Sequence, residues 1–386
     1  MCTSPLIRFR LKRGVRGNDL FSNSSSFKIQ SLRSLEDLFP SYSAFKSYFD
    51  EYCDYQYIKC RKCEECKADY ASEWGIRCAH EYQMSSSGAF ITLTIDDTRA
   101  HLFNQEKSMK QYCKKCVKGN RYIRYPINYT LCKGLILDFL KKLRDLLYKR
   151  YGVSIRYFGC GEYGSSEGNR PHYHILIYNY NFPDRQFIGY TKKGFPYYYS
   201  EELFNAWNYG ICTVQDLDVK TCFYTAKYCL KKLKFTDDIQ IQEQYYGREP
   251  EFLFMSKGNC QSNRCEFIDD IIKNCKGMKS LRDLTNPYCK NCNKTRGGIG
   301  YSWFLKYKDD VLKKGFITLD GIKYSIPKYY LSLLKLTDLE KYDNYKVRIL
   351  NEIDKFEELK PLDRSQQHLD VRKKINKARL KLSHRE

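Results

Sequence analysis

Two histidines one residue apart enter an apolar run near the middle of the chain, and this pattern constrains the local fold more than any other. The segment PHYHILI (residues 171–177) is rich in β-branched and aromatic residues, which is typical of a β-strand. Because side chains alternate along a strand, His172 and His174 must share one face. The chain has only six histidines, so the pairing is conspicuous. The sequence therefore predicts a strand with two potential metal ligands on one side.

The charge and the aromatic content favour a polyanionic partner. The 386 residues include 67 lysines and arginines against 45 aspartates and glutamates, which gives a net charge of +22. Such an excess is typical of proteins that bind nucleic acid. The 35 tyrosines and 22 phenylalanines also offer rings on which unpaired bases can stack. The alternative is a basic protein whose tyrosines belong to the core and its rim.

The sequence contains no sign of export or of membrane insertion. No apolar run approaches the roughly 18 residues that a membrane span needs. Residues 1–16 are basic but lack the apolar centre of a signal peptide. The 18 cysteines are therefore interpreted as reduced thiols or metal ligands. These observations predict a cytoplasmic protein without a membrane partner.

Hydrophobic periodicity predicts an α+β fold. Helical spacing covers residues 63–84, residues 130–150 with Thr130 as N-cap, a short helix after Ser200, and residues 219–233 with Asp218 as N-cap. Alternating or β-branched runs predict strands at 89–95, 154–161, 172–178 and 211–217. This order is typical of a central antiparallel β-sheet covered on one face by helices.

Glu162 is the predicted third ligand beside the two histidines. It lies ten residues before His172, across a turn rich in glycine. A hairpin of 154–161 and 172–178 would put its carboxylate opposite the imidazoles. Two imidazoles and one carboxylate suit magnesium, manganese, iron or zinc and do not select among them. Two alternatives stay open: a pair of partly buried structural histidines, and the iron site of a non-haem oxygenase.

Two tyrosines on a predicted helix are the candidate nucleophiles. Tyr224 and Tyr228 are four residues apart, with Lys227 and Lys231 beside them, so a helix presents the two hydroxyls on one face. A phenol has a pKa of about 10, so reaching the phenolate at pH 7 costs about 4 kcal/mol. A nearby ammonium would lower that cost, and tyrosine is a recognised covalent nucleophile. The alternative is an aromatic stripe that packs on the sheet.

Three short cysteine clusters have the spacing of structural zinc ligands. They are Cys60/Cys63/Cys66, Cys113/Cys116 and Cys289/Cys292. Two such clusters together would supply a tetrahedral zinc site, but they lie far apart, and the sequence does not indicate which would pair. The alternative is a set of free cysteines that pack as small apolar side chains.

Taken together, these motifs resemble the replication initiators of the microviruses, small single-stranded DNA bacteriophages, and more narrowly those of the gokushovirus type. The resemblance rests first on YFGCGEYG (157–164) with RPHYH (170–174), and on YTAKYCLKK (224–232). Further similar segments are Cys60–Cys66 followed by Trp74, Arg77 and Glu81, then FITLT (90–94), FLKKLR (139–144), FMSK (254–257), GIG (298–300) and IPKYY (326–330). Proteins of this family are HUH endonucleases, in which an apolar residue separates the two histidines.

The resemblance implies rolling-circle replication by an HUH nuclease with a ferredoxin-like palm. Such an enzyme nicks one strand at the phage origin, stays linked to the 5′ phosphate and later rejoins the displaced strand. Carried onto this chain, it implies Mg²⁺ or Mn²⁺ held by His172, His174 and Glu162, nucleophiles Tyr224 and Tyr228, and stabilising Lys227 and Lys231. The implied partners are single-stranded or melted origin DNA and the helicase and polymerase of the host, in the host bacterial cytoplasm.

Five segments are predicted along the chain. They are an N-terminal arm (1–55), the nuclease domain (56–257, with an excursion at 98–129), a cysteine-rich insertion (258–296), the C-terminal part of the nuclease region (297–337) and a charged helical tail (338–386). Two rival functions stay open beside the initiator. One is a single-strand transposase or relaxase that uses the same site, and the other is a non-catalytic, zinc-stabilised nucleic-acid-binding protein.

Overall fold

The structure is a computed structural model that describes residues 2–12, 27–95, 130–164, 170–228, 249–256, 297–359 and 364–383. The excursion at 98–129 and the insertion at 258–296 lie outside these residues. The strands of the described part are β1 (Leu6–Leu11), β2 (Lys28–Ser31), β3 (Cys53–Ile58), β4 (Gly88–Thr94), β5 (Arg156–Tyr163), β6 (Pro171–Tyr178), β7 (Gln186–Tyr190), β8 (Pro196–Tyr199), β9 (Cys212–Asp216), β10 (Phe252–Met255), β11 (Ile317–Leu319) and β12 (Ile322–Tyr324). The helices are α1 (Leu32–Glu36), α2 (Tyr42–Tyr52), α3 (Glu64–Gln83), α4 (Lys133–Tyr151), α5 (Glu201–Trp207), α6 (Val219–Lys227), α7 (Tyr301–Lys314), α8 (Lys328–Thr337), α9 (Leu339–Leu359) and α10 (Gln366–Ser383).

The chain divides into two compact units. The first comprises Met1–Tyr70 and Asp343–Glu386, and the second comprises Ala71–Tyr342. None of the described helices is both long enough and apolar enough to cross a membrane. The domain bounds given by the sequence analysis stay predictions.

The second unit is built on a seven-stranded sheet in the order β10-β5-β6-β4-β9-β8-β7, and every pair of neighbours is antiparallel. The predicted α+β class with a large antiparallel sheet flanked by helices is therefore confirmed. The strands predicted at 89–95, 154–161, 172–178 and 211–217 correspond to β4, β5, β6 and β9. The hairpin of β7 and β8 was wrongly predicted as a loop.

Helices cover both faces of this sheet, so the expectation of a single covered face was wrong. On one face, Ile91 of β4 and Ile175 of β6 belong to a buried cluster with Phe139 of α4 and Trp207 of α5. On the other face, the ring of Phe158 lies 5.0 Å from that of Trp74 in α3. Strands buried on both faces read as continuous apolar runs, which hides the second helical layer from a period-2 analysis.

Capping residues explain where two of the helices begin. The Asp218 side chain accepts from the amide of Thr221 while the Thr221 hydroxyl accepts from the amide of Asp218, a reciprocal arrangement that satisfies two helix-end donors. The N-cap predicted at Thr130 was wrong. Helix α4 begins at Lys133, and the Thr130 hydroxyl instead accepts from the amide of Glu249.

The first unit has a small core of its own. Strands β2-β1-β3 form an antiparallel sheet, and the apolar cluster over it comprises Ile7, Phe9, Leu32, Leu35, Phe45, Phe49, Cys53 and Leu369. Leu369 belongs to α10, so the charged tail is helical as predicted but is not simply solvated. These apolar positions are scattered over short elements, which is why the sequence showed no period in residues 1–55.

Candidate active site

The strand register gathers the three predicted metal ligands on one face of the sheet. Glu162 of β5 pairs directly with His172 of β6. His172 also pairs with Thr94 of β4, and His174 pairs with Thr92. Side chains of directly paired residues project from the same face. The hairpin therefore has the arrangement that the sequence analysis expected.

His174 and Glu162 are already in contact. The His174 Nε2 atom lies 2.9 Å from Glu162 Oε1, and each residue is only 7 % exposed. The other ring nitrogen, Nδ1, lies 3.1 Å from the hydroxyl oxygen of Thr92. A hydrogen bond at Nδ1 fixes the ring and turns Nε2 towards its carboxylate partner, as in many metal-ligating histidines.

His172 is the least engaged of the three. It is half-buried, and its Nδ1 lies 2.6 Å from the carbonyl oxygen of Arg170, which assigns the proton to Nδ1 and leaves Nε2 as an acceptor. The ligand atoms of His172, His174 and Glu162 do not all lie within 4.8 Å of one another. Two nitrogens and one carboxylate fit a divalent cation, but His172 must turn inward to complete the set.

Helix α6 brings both tyrosines to the same place. The ring of Tyr228 stacks on His174 with centroids 5.3 Å apart and planes 16° apart, and Tyr224 meets His174 edge-on at 5.7 Å. The Tyr228 hydroxyl donates to the Tyr224 hydroxyl at 2.6 Å. Lys227 is exposed on the same helix, and Lys231 lies outside the described residues. Two tyrosines, His174 and Glu162 therefore form one cluster.

The environment of the tyrosines differs. Burial, followed by the negative charge of Glu162, raises the pKa of Tyr228. Tyr224 is 44 % exposed and borders open space. A phenolate on Tyr228 is therefore disfavoured unless positive charge is bound nearby, whereas Tyr224 is directly accessible to a large substrate.

A groove that the sequence analysis missed opens beside the cluster. Its volume is about 860 Å³, and its lining includes His174, Tyr224, Phe195, Tyr197 and the pair Lys192–Lys193. The last four belong to the β7–β8 hairpin. The segment YTKKGFPYYY (190–199) carries the signal for it, since it interleaves basic and aromatic residues, but a loop assignment concealed that these side chains lie along one wall.

The predicted zinc ligands are only partly described. Cys60, Cys63 and Cys66 come together with Cys2, and all four sulfur atoms lie within 4.8 Å of one another. The sequence analysis did not single out Cys2. Cys113, Cys116, Cys289 and Cys292 lie outside the described residues.

Comparisons with known proteins agree with these features. The family of the replication-associated protein ORF2 matches residues 125–233, a range that contains His172, His174, Tyr224 and Tyr228. The chain is also 31 % identical over 278 residues to the replication-associated protein ORF2 of Spiroplasma virus 4. It belongs to the microvirus replication-associated proteins.

Two further relatives have the same kind of name. This microvirus protein is 25 % identical over 291 residues to the replication-associated protein VP4 of Bdellovibrio phage phiMH2K, with 75 % of this chain and 71 % of the relative aligned. It is 21 % identical over 305 residues to the replication-associated protein ORF4 of Chlamydia phage 1, with 76 % and 59 % aligned. For the Spiroplasma virus 4 protein the shares are 71 % and 66 %. No solved structure matches the chain.

Proposed function

We propose that this microvirus protein initiates rolling-circle DNA replication by nicking and rejoining single-stranded DNA, and that its sheet is the palm of an HUH endonuclease. The observation that carries the proposal is the contact of two helix-borne tyrosines with His174, which itself contacts Glu162. Structural aromatic residues do not require a partly exposed tyrosine beside a histidine–carboxylate pair. A nucleophile facing a phosphate does.

The reaction is a reversible transfer of a phosphoryl group. A tyrosine hydroxyl attacks the phosphorus, the bond from its oxygen to phosphorus forms, and the bond from phosphorus to the 3′ oxygen breaks. The phenolic proton is released and the departing 3′ oxygen takes up a proton, so the products are a 5′-phosphotyrosine and a 3′ hydroxyl. That hydroxyl would prime the host polymerase, with a host helicase opening the duplex. Attack by a 3′ hydroxyl on the phosphotyrosine reverses the step and rejoins a strand.

Two adjacent tyrosines allow the cycle to close. While one holds the first 5′ end, the other can cut the regenerated origin, and the freed 3′ hydroxyl can then attack the first phosphotyrosine. The hydroxyl contact between Tyr228 and Tyr224 brings both oxygens to one point, so a single phosphate position can serve either. The more exposed Tyr224 is the natural first nucleophile.

His172, His174 and Glu162 are the residues that would hold Mg²⁺ or Mn²⁺. A divalent cation there supplies positive charge to the attacked phosphate and to the phenolate. Thr92 and the Arg170 carbonyl orient the two imidazoles through their Nδ1 atoms. Glu162 and burial raise the pKa of Tyr228, so the protein on its own keeps this phenol protonated until substrate and cation are present.

The groove beside the cluster suits an unpaired strand. Phe195 and Tyr197 offer rings for base stacking, and Lys192 and Lys193 offer charge for the phosphates. The names of the relatives favour an initiator over a transposase or relaxase with the same site. A protein that only binds DNA would have the groove but would form no covalent adduct.

Covalent capture tests the proposal. Full-length protein is incubated with Mg²⁺ or Mn²⁺ and with labelled single-stranded oligonucleotides that tile the phage genome, then run on a denaturing gel. We expect a protease-sensitive adduct on one tile. It should disappear in His174→Ala and in the double variant Tyr224→Phe/Tyr228→Phe, and it should persist in Tyr148→Phe, an exposed tyrosine on α4. No adduct on any tile or on supercoiled duplex would reject nicking in favour of DNA binding alone.

A further inference from the structure

We propose that Cys2, Cys60, Cys63 and Cys66 bind one Zn²⁺ ion as a closed, four-thiolate structural site in the first unit. All four sulfur atoms lie within 4.8 Å of one another, and those of Cys2 and Cys63 are 3.6 Å apart. A tetrahedral zinc ion with Zn–S bonds of about 2.3 Å has sulfur–sulfur edges of about 3.8 Å. The sulfur atoms therefore already have the spacing that the ion needs, and each cysteine is free of disulfide bonds.

The fold explains why these four meet. In the ladder between β1 and β3, Leu6 pairs with Ile58, so the chain before β1 and the chain after β3 emerge at the same end of the sheet. Cys2 lies on the first of these segments and Cys60 on the second. After Cys63, helix α3 begins at Glu64 and its first turn carries Cys66. The ligand that the sequence analysis sought in another cysteine cluster comes from beside β1.

Backbone geometry around Cys60 gives independent support. The amides of Cys63 and Lys62 donate to the Cys60 sulfur at 3.2 and 3.4 Å, and the amide of Cys60 donates to the Cys2 sulfur at 3.4 Å. Hydrogen bonds of this kind favour a thiolate over a thiol, because the charged acceptor binds a donor more strongly. Arg61 takes a left-handed conformation with φ of 61°, which is uncommon for a non-glycine residue and holds the amides towards the sulfur atoms.

The surroundings match a closed site with a structural role. Four thiolates around Zn²⁺ leave net negative charge, and the exposed Arg61 and Lys62 of the same turn can offset it. The adjacent Glu65 accepts from the Thr3 hydroxyl at 2.6 Å and from the Asn376 side chain at 2.8 Å. Zinc here would fasten the start of β1, the end of β3 and the start of α3. A unit with so small a core gains from such a clamp, because metal binding contributes directly to folding.

Metal analysis of the full-length protein, purified under reducing conditions, tests the site. We expect bound zinc whose X-ray absorption shows sulfur ligands at about 2.3 Å. Replacement by Co²⁺ should give the visible spectrum of a tetrahedral thiolate site. Absence of zinc and of a Co²⁺ spectrum would overturn the proposal. These measurements need no variant and no nicking activity, so they stand apart from the proposed function.

Variants then assign the ligands. Cys2→Ser should lose one equivalent of zinc, whereas Cys2→His should keep it with a spectrum altered by one nitrogen ligand, since histidine also binds zinc. Cys53→Ser is the matched control, because Cys53 is buried in the same unit but lies outside the cluster, and it should keep the full content. Unchanged zinc in Cys2→Ser, or loss of all zinc in Cys113→Ser/Cys116→Ser with Cys2 intact, would reject this ligand set. If Cys2→Ser does not fold, the spectrum of Cys2→His decides.

Discussion

His174 contacts every part of the candidate active site, so its orientation decides how the site works. One ring nitrogen faces Glu162, the other faces Thr92, and two tyrosine rings lie against the imidazole. The sequence predicted the histidine, the carboxylate and the tyrosines from their spacing. It could not predict Thr92, because a threonine in a strand is unremarkable until the register sets its hydroxyl beside the imidazole.

Thr92→Val should impair nicking without removing any metal ligand. The substitution keeps the β-branched shape but removes the hydroxyl that orients His174. Loss of a partner of this kind typically costs about 10–100-fold in metal affinity or activity, so the adduct should form about 10–100-fold more slowly and need more Mn²⁺. Thr213→Val is the control, since Thr213 pairs with Thr92 on the neighbouring strand and also lines the groove. Equal rates for the two variants would contradict the orienting role.

His80 should make the fold sensitive to acid. Burial lowers the pKa of His80 to about 3. Its ring is stacked on Trp303 with planes 8° apart, and its Nε2 has no hydrogen-bond partner among the described residues. The unfolded chain, with an ordinary histidine pKa of about 6.5, binds the proton more readily, so the free energy of unfolding falls as pH drops from about 6.5 towards 3.

The comparison of His80→Gln with the wild-type protein checks this effect. Urea unfolding at pH 7.5 should show the variant to be less stable, because the stacked ring is lost. At pH 5 the gap should narrow by about 1–2 kcal/mol, since the variant has no imidazole to protonate. A gap that does not change with pH would show that His80 does not set the acid response.

Glu81 holds three elements of the second unit together. Its carboxylate accepts from the Arg156 guanidinium of β5 and from the amide of Gly300, just before α7, while Arg156 also donates to the Gly297 carbonyl. Both charged side chains are buried. The sequence contained Glu81 and GIG (298–300) as similar segments, but more than 200 residues separate them, and no local pattern reveals that they meet.

Glu81→Gln should destabilise the second unit strongly. It leaves the Arg156 charge buried without its counter-charge, and removing one partner of a buried ion pair typically costs about 3–5 kcal/mol. Asp309→Asn breaks the exposed pair with Lys341 and should cost less than about 1 kcal/mol. Chemical unfolding of both variants, followed by the signal of the buried tryptophans, gives the comparison. Similar losses would mean that the Arg156 charge is solvated after the substitution.

Across the whole molecule, the sequence predicted the sheet and the positions of its central strands because their apolar runs are long and uninterrupted. It did not predict the β7–β8 hairpin or the core of the first unit. Those depend on partners distant in the chain: β8 pairs with β9, and Leu369 completes a core that begins at Ile7. The net charge of +22 indicated a polyanion but not where it binds, since charge alone carries no geometry.

Salt dependence separates the charge of the whole surface from that of the groove. Each phosphate neutralised on a single strand adds about 0.7 to the slope of log affinity against log salt, and this term should be alike for the nicked sequence and a scrambled one. Lys192→Ala/Lys193→Ala should lower the slope by about 1.4 if both lysines contact phosphates, whereas Lys306→Ala/Lys313→Ala, which removes two exposed lysines of α7, should lower it less. Binding titrations at several salt concentrations measure both. Equal changes would mean that the strand follows the general charge of the surface, and an affinity independent of salt would refute phosphate contacts altogether.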